Sequence, residues 1–208
     1  MEDNFKITPE DLKEAFSNPT RIKGMALRGG ILKVIKEKLR EEGLKVIEKE
    51  SKNLGLPFIL EKVKESEWYP AGIYVEIFYI LQEKFNFRKK DFAELGEMSA
   101  KFSPAVRFLM KYFAIPEKIA KIGAPRLWLR FFDTGEAEVC EFKDSATEGF
   151  LIVRLKNFKL HPLHFFYLGY FFLGMAKLVK KFKEATVEEV ESPFRGDKYQ
   201  EYLIKWKH

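Results

Sequence analysis

The chain has 208 residues, 46% of them hydrophobic, with 21 Phe and a formal net charge of +6. So much apolar side chain excludes a disordered polypeptide and is enough to build the core of one sizeable domain. The charges interleave, as in Ile35-Lys36-Glu37-Lys38-Leu39-Arg40-Glu41-Glu42; this excludes the concentrated basic stripe of a nucleic-acid binder, and one cysteine, Cys140, excludes an internal disulfide.

The N-terminus, Met1-Glu2-Asp3-Asn4, is acidic without an apolar run, so no signal peptide is expected. Thr8-Pro9-Glu10-Asp11 is a helix start, with Thr8 as N-cap and Asp11 three residues on, and the helix ends near Asn18-Pro19. The next helix runs from about Gly30 to Glu42, with Ile31, Val34, Ile35 and Leu39 along one side and Gly43 as its stop. A short helix follows over Leu44 to Ser51, and another over Phe58 to Glu65 after the breakers Gly55 and Pro57. Trp68-Tyr69-Pro70 turns into a helix from Tyr74 to Lys84. Asp91 with Glu94 caps a helix from Phe92 to Lys101, Ser103-Pro104 opens another, Pro116 opens a short last one, and Gly123-Ala124-Pro125 closes this helical half.

The period then changes. Leu127, Leu129 and Phe131 alternate with Trp128, Arg130 and Phe132, which reads as a strand ending in a hairpin turn at Asp133-Thr134-Gly135-Glu136. Ala137 to Phe142 reads as a second strand. Phe150 to Lys156, apolar on both faces, reads as a third and central one. From Leu163 to Val179 aromatic and aliphatic residues occupy every side of a helix, so protein must enclose most of its circumference. Its uninterrupted apolar stretch, His164 to Ala176, is shorter than the ~20 residues of a membrane span. The basic run Lys177 to Lys183 suits the negative end of that helix. Strands at Thr186 to Glu191 and Tyr199 to Trp206 flank the turn Arg195-Gly196-Asp197, and Tyr202, Ile204 and Trp206 share a face. The expected fold is α+β: one domain over residues 1–208, helical over 1–124, with an antiparallel sheet of order β-β-β-α-β-β and one buried apolar helix over 125–208.

No motif assembles a catalytic site. Gly24-Met25-Ala26-Leu27-Arg28-Gly29-Gly30-Ile31 lacks the Lys and Ser/Thr of a phosphate loop and reads as a loosened helix entry or a close helix contact. His161 and His164 have helical chelate spacing but lack further ligands, so they read as a helix N-terminal feature. Cys140 reads as a small apolar strand residue, and Glu188, Glu189 and Glu191 as exposed strand charge. The aromatics Trp68, Tyr69, Tyr74, Phe78, Phe108, Phe113, Trp128, Phe166 and Tyr170, with Met110, are the candidate lining of a ligand pocket.

The element order and the ending Arg195-Gly196-Asp197-Lys198-Tyr199-Gln200-Glu201-Tyr202-Leu203-Ile204-Lys205-Trp206 resemble the 4-vinyl-reductase-like domain, in a superfamily with haem–nitric-oxide-binding domains and TRAPP tethering subunits. Lys23-Gly24-Met25-Ala26-Leu27-Arg28-Gly29 and Glu94-Leu95-Gly96 are similar to an uncharacterised myxobacterial-type paralogous family. The resemblance implies a small-molecule or lipid pocket between helices and sheet. It also implies that haem-binding members carry a histidine before the sheet and a Tyr-x-Ser-x-Arg signature. Ser103 to Ile122 holds no histidine and the signature is missing, so no cofactor is expected, haem included. The expected protein is a non-catalytic, sensor-like module that binds an apolar small molecule or acyl chain. The competing class is a scaffold homodimer with a filled core and the apolar helix as its seam. A homodimer, no nucleic-acid partner and a cytoplasmic setting are expected, and abundant Lys and Glu with scarce Gln and Asn suggest a thermophile.

Overall fold

The computed structural model describes residues 5–56, 62–112, 117 and 119–208. Helix α1 (Pro9–Ser17) begins as its sequence dictates: the Asp11 N–H donates to Thr8 Oγ1 at 3.2 Å, and the Thr8 N–H donates to the Asp11 carboxylate at 2.8 Å. Strand β1 (Arg21–Lys23) pairs antiparallel with β2 (Trp68–Pro70) in a small ribbon. Between them α2 (Gly24–Ala26) passes through a π turn, Leu27–Ile31, into α3 (Leu32–Asn53). The glycines here serve close contact: a Cβ on Gly24 would stand 2.1 Å from the Lys64 carbonyl oxygen, and one on Gly29 2.7 Å from Pro104 Cδ. The two helices expected on either side of Gly43 form one element, and its break falls at Arg40, with φ 59° and ψ −167°.

Helices α4 (Gly72–Phe85), α5 (Lys89–Phe102) and α6 (Pro104–Tyr112) follow in the expected order. The start of α5 lies three residues ahead of its expected place, because Asp91 serves as the third residue of a cap: its carboxylate accepts the Arg88 N–H at 2.8 Å. The first half of the helix expected at Phe58 to Glu65 falls outside the described residues, and its second half, residues 62–65, is not α-helix; the start of the helix expected at Pro116 also lies outside the described residues.

The largest correction concerns the first expected strand. Ala124–Phe131 is a helix, α7, entered from a π turn at Ile119–Gly123. It buries Leu127, Trp128 and Phe131 and exposes Leu129 at 63%. Over so short an apolar run, alternation and helical spacing share most positions, and Pro125 in the first turn suits a helix.

The main sheet therefore has four strands: β3 (Glu136–Asp144), β4 (Glu148–Lys156), β5 (Lys183–Glu191) and β6 (Gln200–Lys207), in spatial order β3-β4-β6-β5 and antiparallel throughout. Strand β4 is interior, as its two-sided apolarity predicts. Glu188, Glu189 and Glu191 lie on β5, an edge strand, where charge discourages further pairing. Tyr202, Ile204 and Trp206 are all buried on one face of β6.

Helix α8 (Pro162–Lys177) connects the two hairpins and packs on that face. Ten of its residues are buried, and α5 covers its opposite side. Gly96 and Gly174 set this close approach: a Cβ on Gly96 would stand 2.5 Å from the Tyr167 carbonyl oxygen, and one on Gly174 2.7 Å from that of Glu97. The chain encloses α8 by itself, so the expectation of α8 as a seam between two copies does not hold. No described helix is long and apolar enough to cross a membrane.

Candidate functional site

A hollow lies where α8 leaves the sheet. Its floor is the inner face of the strands: Val139 from β3, Leu151 and Val153 from β4, and Ile204 from β6. Phe172, Met175 and Ala176 of α8 form one wall, closed by Val179 and Phe182. The roof comes from the helical half: Met110 of α6, Ala120 of the π turn and Ala124 of α7. The cavity measures about 60 Å³, room for several waters by volume, yet its lining offers no hydrogen-bonding group of the kind that holds water. Its lining is apolar throughout. Period-two alternation puts Val139, Leu151, Val153 and Ile204 on the inner face, and small side chains at Ala120, Ala124 and Ala176 leave the space unfilled.

Of the nine candidate lining residues that the structure describes, Met110 is the one that reaches this pocket. Tyr74 and Phe78 of α4 are buried on the far side of α8, around His164. Trp128 of α7 is buried with its ring stacked on Phe132 at 4.4 Å, and its Nε1–H donates to the Thr134 carbonyl at 3.0 Å. Phe166 and Tyr170 pair at 4.9 Å on the half-buried side of α8. Trp68 and Tyr69 sit half-buried in the small ribbon, where Lys23 Nζ lies 4.4 Å from the Trp68 ring. Phe108 is 57% exposed. Phe113 lies outside the described residues. Sequence reasoning missed Val139, Val153, Met175, Ala176 and Ile204, because it looked for bulky rings where small side chains make the room.

The titratable groups stand apart from the pocket. His161 Nδ1 accepts the Leu163 N–H at 3.1 Å and caps α8. Desolvation lowers its pKa, opposed by Asp11 at 3.9 Å. His164 is fully buried, and desolvation drives its pKa down to about 3. Cys140 lies on β3 and, against the expectation of a packed apolar residue, is exposed; partial desolvation of its thiol, opposed by Arg154 and aided by Glu138 and Glu201, pushes its pKa up to about 11. It is therefore a protonated thiol at neutral pH, which is a poor nucleophile. Among the described residues no three His, Cys, Asp or Glu side chains gather as a metal site.

No protein-family model matches the sequence, and no curated protein matches it. Solved structures match its fold. An H-NOX mutant designated Cs superposes with a TM-score of 0.62 at 16% identity, covering 89% of this chain and 95% of its own. An Fe(II) unliganded H-NOX mutant from K. algicida gives 0.59 at 13%, covering 89% and 96%. A chain from work titled as probing the function of heme distortion in the H-NOX family gives 0.55 at 17%, covering 89% and 94%. The chain thus has the H-NOX fold, in agreement with the haem–nitric-oxide part of the sequence resemblance. These neighbours also correct the expectation that haem is excluded, since solved chains of this fold are titled as haem and Fe(II) proteins. Haem iron takes imidazole, thiolate, thioether or phenolate ligands. The pocket presents two of these donors, the thioethers of Met110 and Met175.

Proposed function

We propose that the chain is a non-catalytic ligand-binding module of the sensor type, working as one domain over residues 1–208. It takes a small apolar molecule, or the end of an acyl chain, into the apolar pocket between α8, the helical half and the sheet. The pocket's composition carries this reading: every wall is apolar, and both halves of the chain contribute. Apolar surface buried there gains roughly 25 cal/mol per Å², while a charge would enter without a partner. Drug-sized ligands occupy roughly 300–1,000 Å³, so a larger guest enters only if α6 and the π turn at Ile119–Gly123 move outward.

The fold likeness supports haem as a second reading of the same site. A porphyrin needs far more room than the pocket's volume of about 60 Å³, and the apolar lining offers its propionates no partner; only with α6 and the π turn moved outward would Met110 and Met175 be placed to hold its iron, and the group would then supply gas-binding or redox chemistry. This chain's own part is to offer apolar walls and exclude water.

Two titrations of the full chain separate the readings. Under the first, xenon followed by its NMR chemical shift binds the wild type, and Ala176→Trp abolishes the shift by filling the space. Under the second, haemin gives a Soret band that shifts in Met175→Leu. A chain that takes up neither probe overturns both.

A further inference from the structure

The interleaving of opposite charges fails over one stretch. Lys101 to Arg130 holds seven basic residues and a single acidic one, Glu117, so its net charge of +6 equals that of the whole chain and the remainder is balanced. The same stretch carries three of the six exposed bulky apolar side chains among the described residues: Phe108 at 57%, Ile122 at 43% and Leu129 at 63%. Single exposed apolar residues are ordinary, whereas grouped ones rimmed by polar residues mark an interaction surface.

The fold puts them together. The π turn at Ile119–Gly123 runs into α7 without a break, since Gly123 keeps right-handed helical dihedrals, φ −76° and ψ −41°. Ile122, Arg126, Leu129 and Arg130 then fall at i, i+4, i+7 and i+8, the spacing of one helix face, and all four are exposed. Leu127, Trp128 and Phe131 turn to the core instead. Helix α6 lies alongside: a Cβ on Gly123 would stand 2.8 Å from Leu109 Cδ1, and Arg107 and Phe108, next to Leu109, are exposed. Lys121 pairs with Glu117 at 2.7 Å, whereas Arg107, Arg126 and Arg130 have no carboxylate partner among the described residues.

We infer that this face docks on an anionic lipid surface. Phe108, Ile122 and Leu129 enter the headgroup layer, and the guanidinium groups of Arg107, Arg126 and Arg130 reach the lipid phosphates. Two copies would not meet through it, because a two-fold contact sets the same positive patch against itself. A nucleic acid would meet the charges but leave Ile122 and Leu129 without an apolar partner. The same elements roof the pocket through Met110, Ala120 and Ala124, so docking sets that roof against lipid. Docking needs no guest in the pocket.

Co-sedimentation of the full chain with vesicles tests this. Vesicles of equal parts phosphatidylcholine and phosphatidylserine should bring the chain down, and pure phosphatidylcholine vesicles should not. A basic residue near an anionic surface strengthens partitioning about fivefold, so Arg126→Gln with Arg130→Gln should weaken binding about twentyfold. Leu129→Ser, at unchanged charge, should weaken it about fivefold. All three side chains are exposed, so these variants leave the core intact. Absence of sedimentation with either vesicle overturns the inference, as does equal binding to both or wild-type binding by the double variant. A chain that binds random duplex DNA and ignores the vesicles overturns it in favour of nucleic acid.

Discussion

Tyr202 of β6 donates its hydroxyl to the Phe165 carbonyl of α8 at 2.7 Å, and both residues are buried. The bond ties the first turn of the apolar helix to the sheet. It works because Gly169, one turn further along α8, lets the Tyr202 ring slide beneath the helix: a Cβ there would stand 2.9 Å from the ring. Helix position, and with it the pocket near Ala176, follows from this contact.

Tyr202→Phe removes the hydrogen bond while keeping the ring, and its expected cost is about 1 kcal/mol. Gly169→Ala forces the ring aside, at roughly 1–3 kcal/mol. Urea unfolding measures both. Because the two changes act on one contact, the double variant should cost less than the sum.

Gly96 and Gly174 meet backbone rather than side-chain tips, at 2.5 and 2.7 Å for a built Cβ. A backbone cannot swing away, so Gly96→Ala and Gly174→Ala should each cost about 3 kcal/mol, at the upper end of overpacking. An unchanged urea midpoint for either would place α5 and α8 further apart than described.

Arg40 adopts φ 59° and ψ −167° inside α3, a region that only glycine enters without strain. Its side chain is exposed. Arg40→Gly should therefore stabilise the chain by about 1 kcal/mol, read as a higher urea midpoint with an unchanged slope.

Stability should pass through a maximum in pH. Glu76 of α4 is buried, and desolvation raises its pKa from 4.5 to about 7, with the Ser51 hydroxyl opposing. A raised carboxyl pKa means that its protonated form suits the fold, so this contribution is complete below pH 4.5 and is lost as pH rises through about 7. The loss is roughly 3 kcal/mol. His164 acts in the opposite sense. Its folded pKa of about 3 lies below 6.5, so its contribution is present above pH 6.5 and is lost as pH falls toward 3. Glu76→Gln should flatten the alkaline limb and His164→Phe the acid limb, measured as urea midpoints across the pH range.

Much of the architecture was legible in the chain. The Thr8 cap, the interior strand at Phe150 to Lys156, the shared face of Tyr202, Ile204 and Trp206, and the enclosed helix after His161 follow from capping chemistry and periodicity. Leu127 to Phe132 was not legible, because six residues cannot separate a period of two from one of 3.6. The small ribbon of β1 and β2 was missed because three-residue strands carry no period. The site was far less legible. A search for bulky rings finds what fills space: Tyr74, Phe78 and Trp128 are packed core. The hollow is defined by what is small, at Ala120, Ala124 and Ala176, and a lone alanine carries no signal until the fold puts three together.

The central claim is that the space between Ala176, Val153 and Ile204 accepts an apolar guest, and a crystal pressurised with xenon tests it most directly, since dry apolar cavities take up that atom. The account predicts anomalous density for xenon against Met175 and Ala176, above the sheet. A map with no xenon in that pocket, at a pressure that loads other hydrophobic cavities, would contradict it.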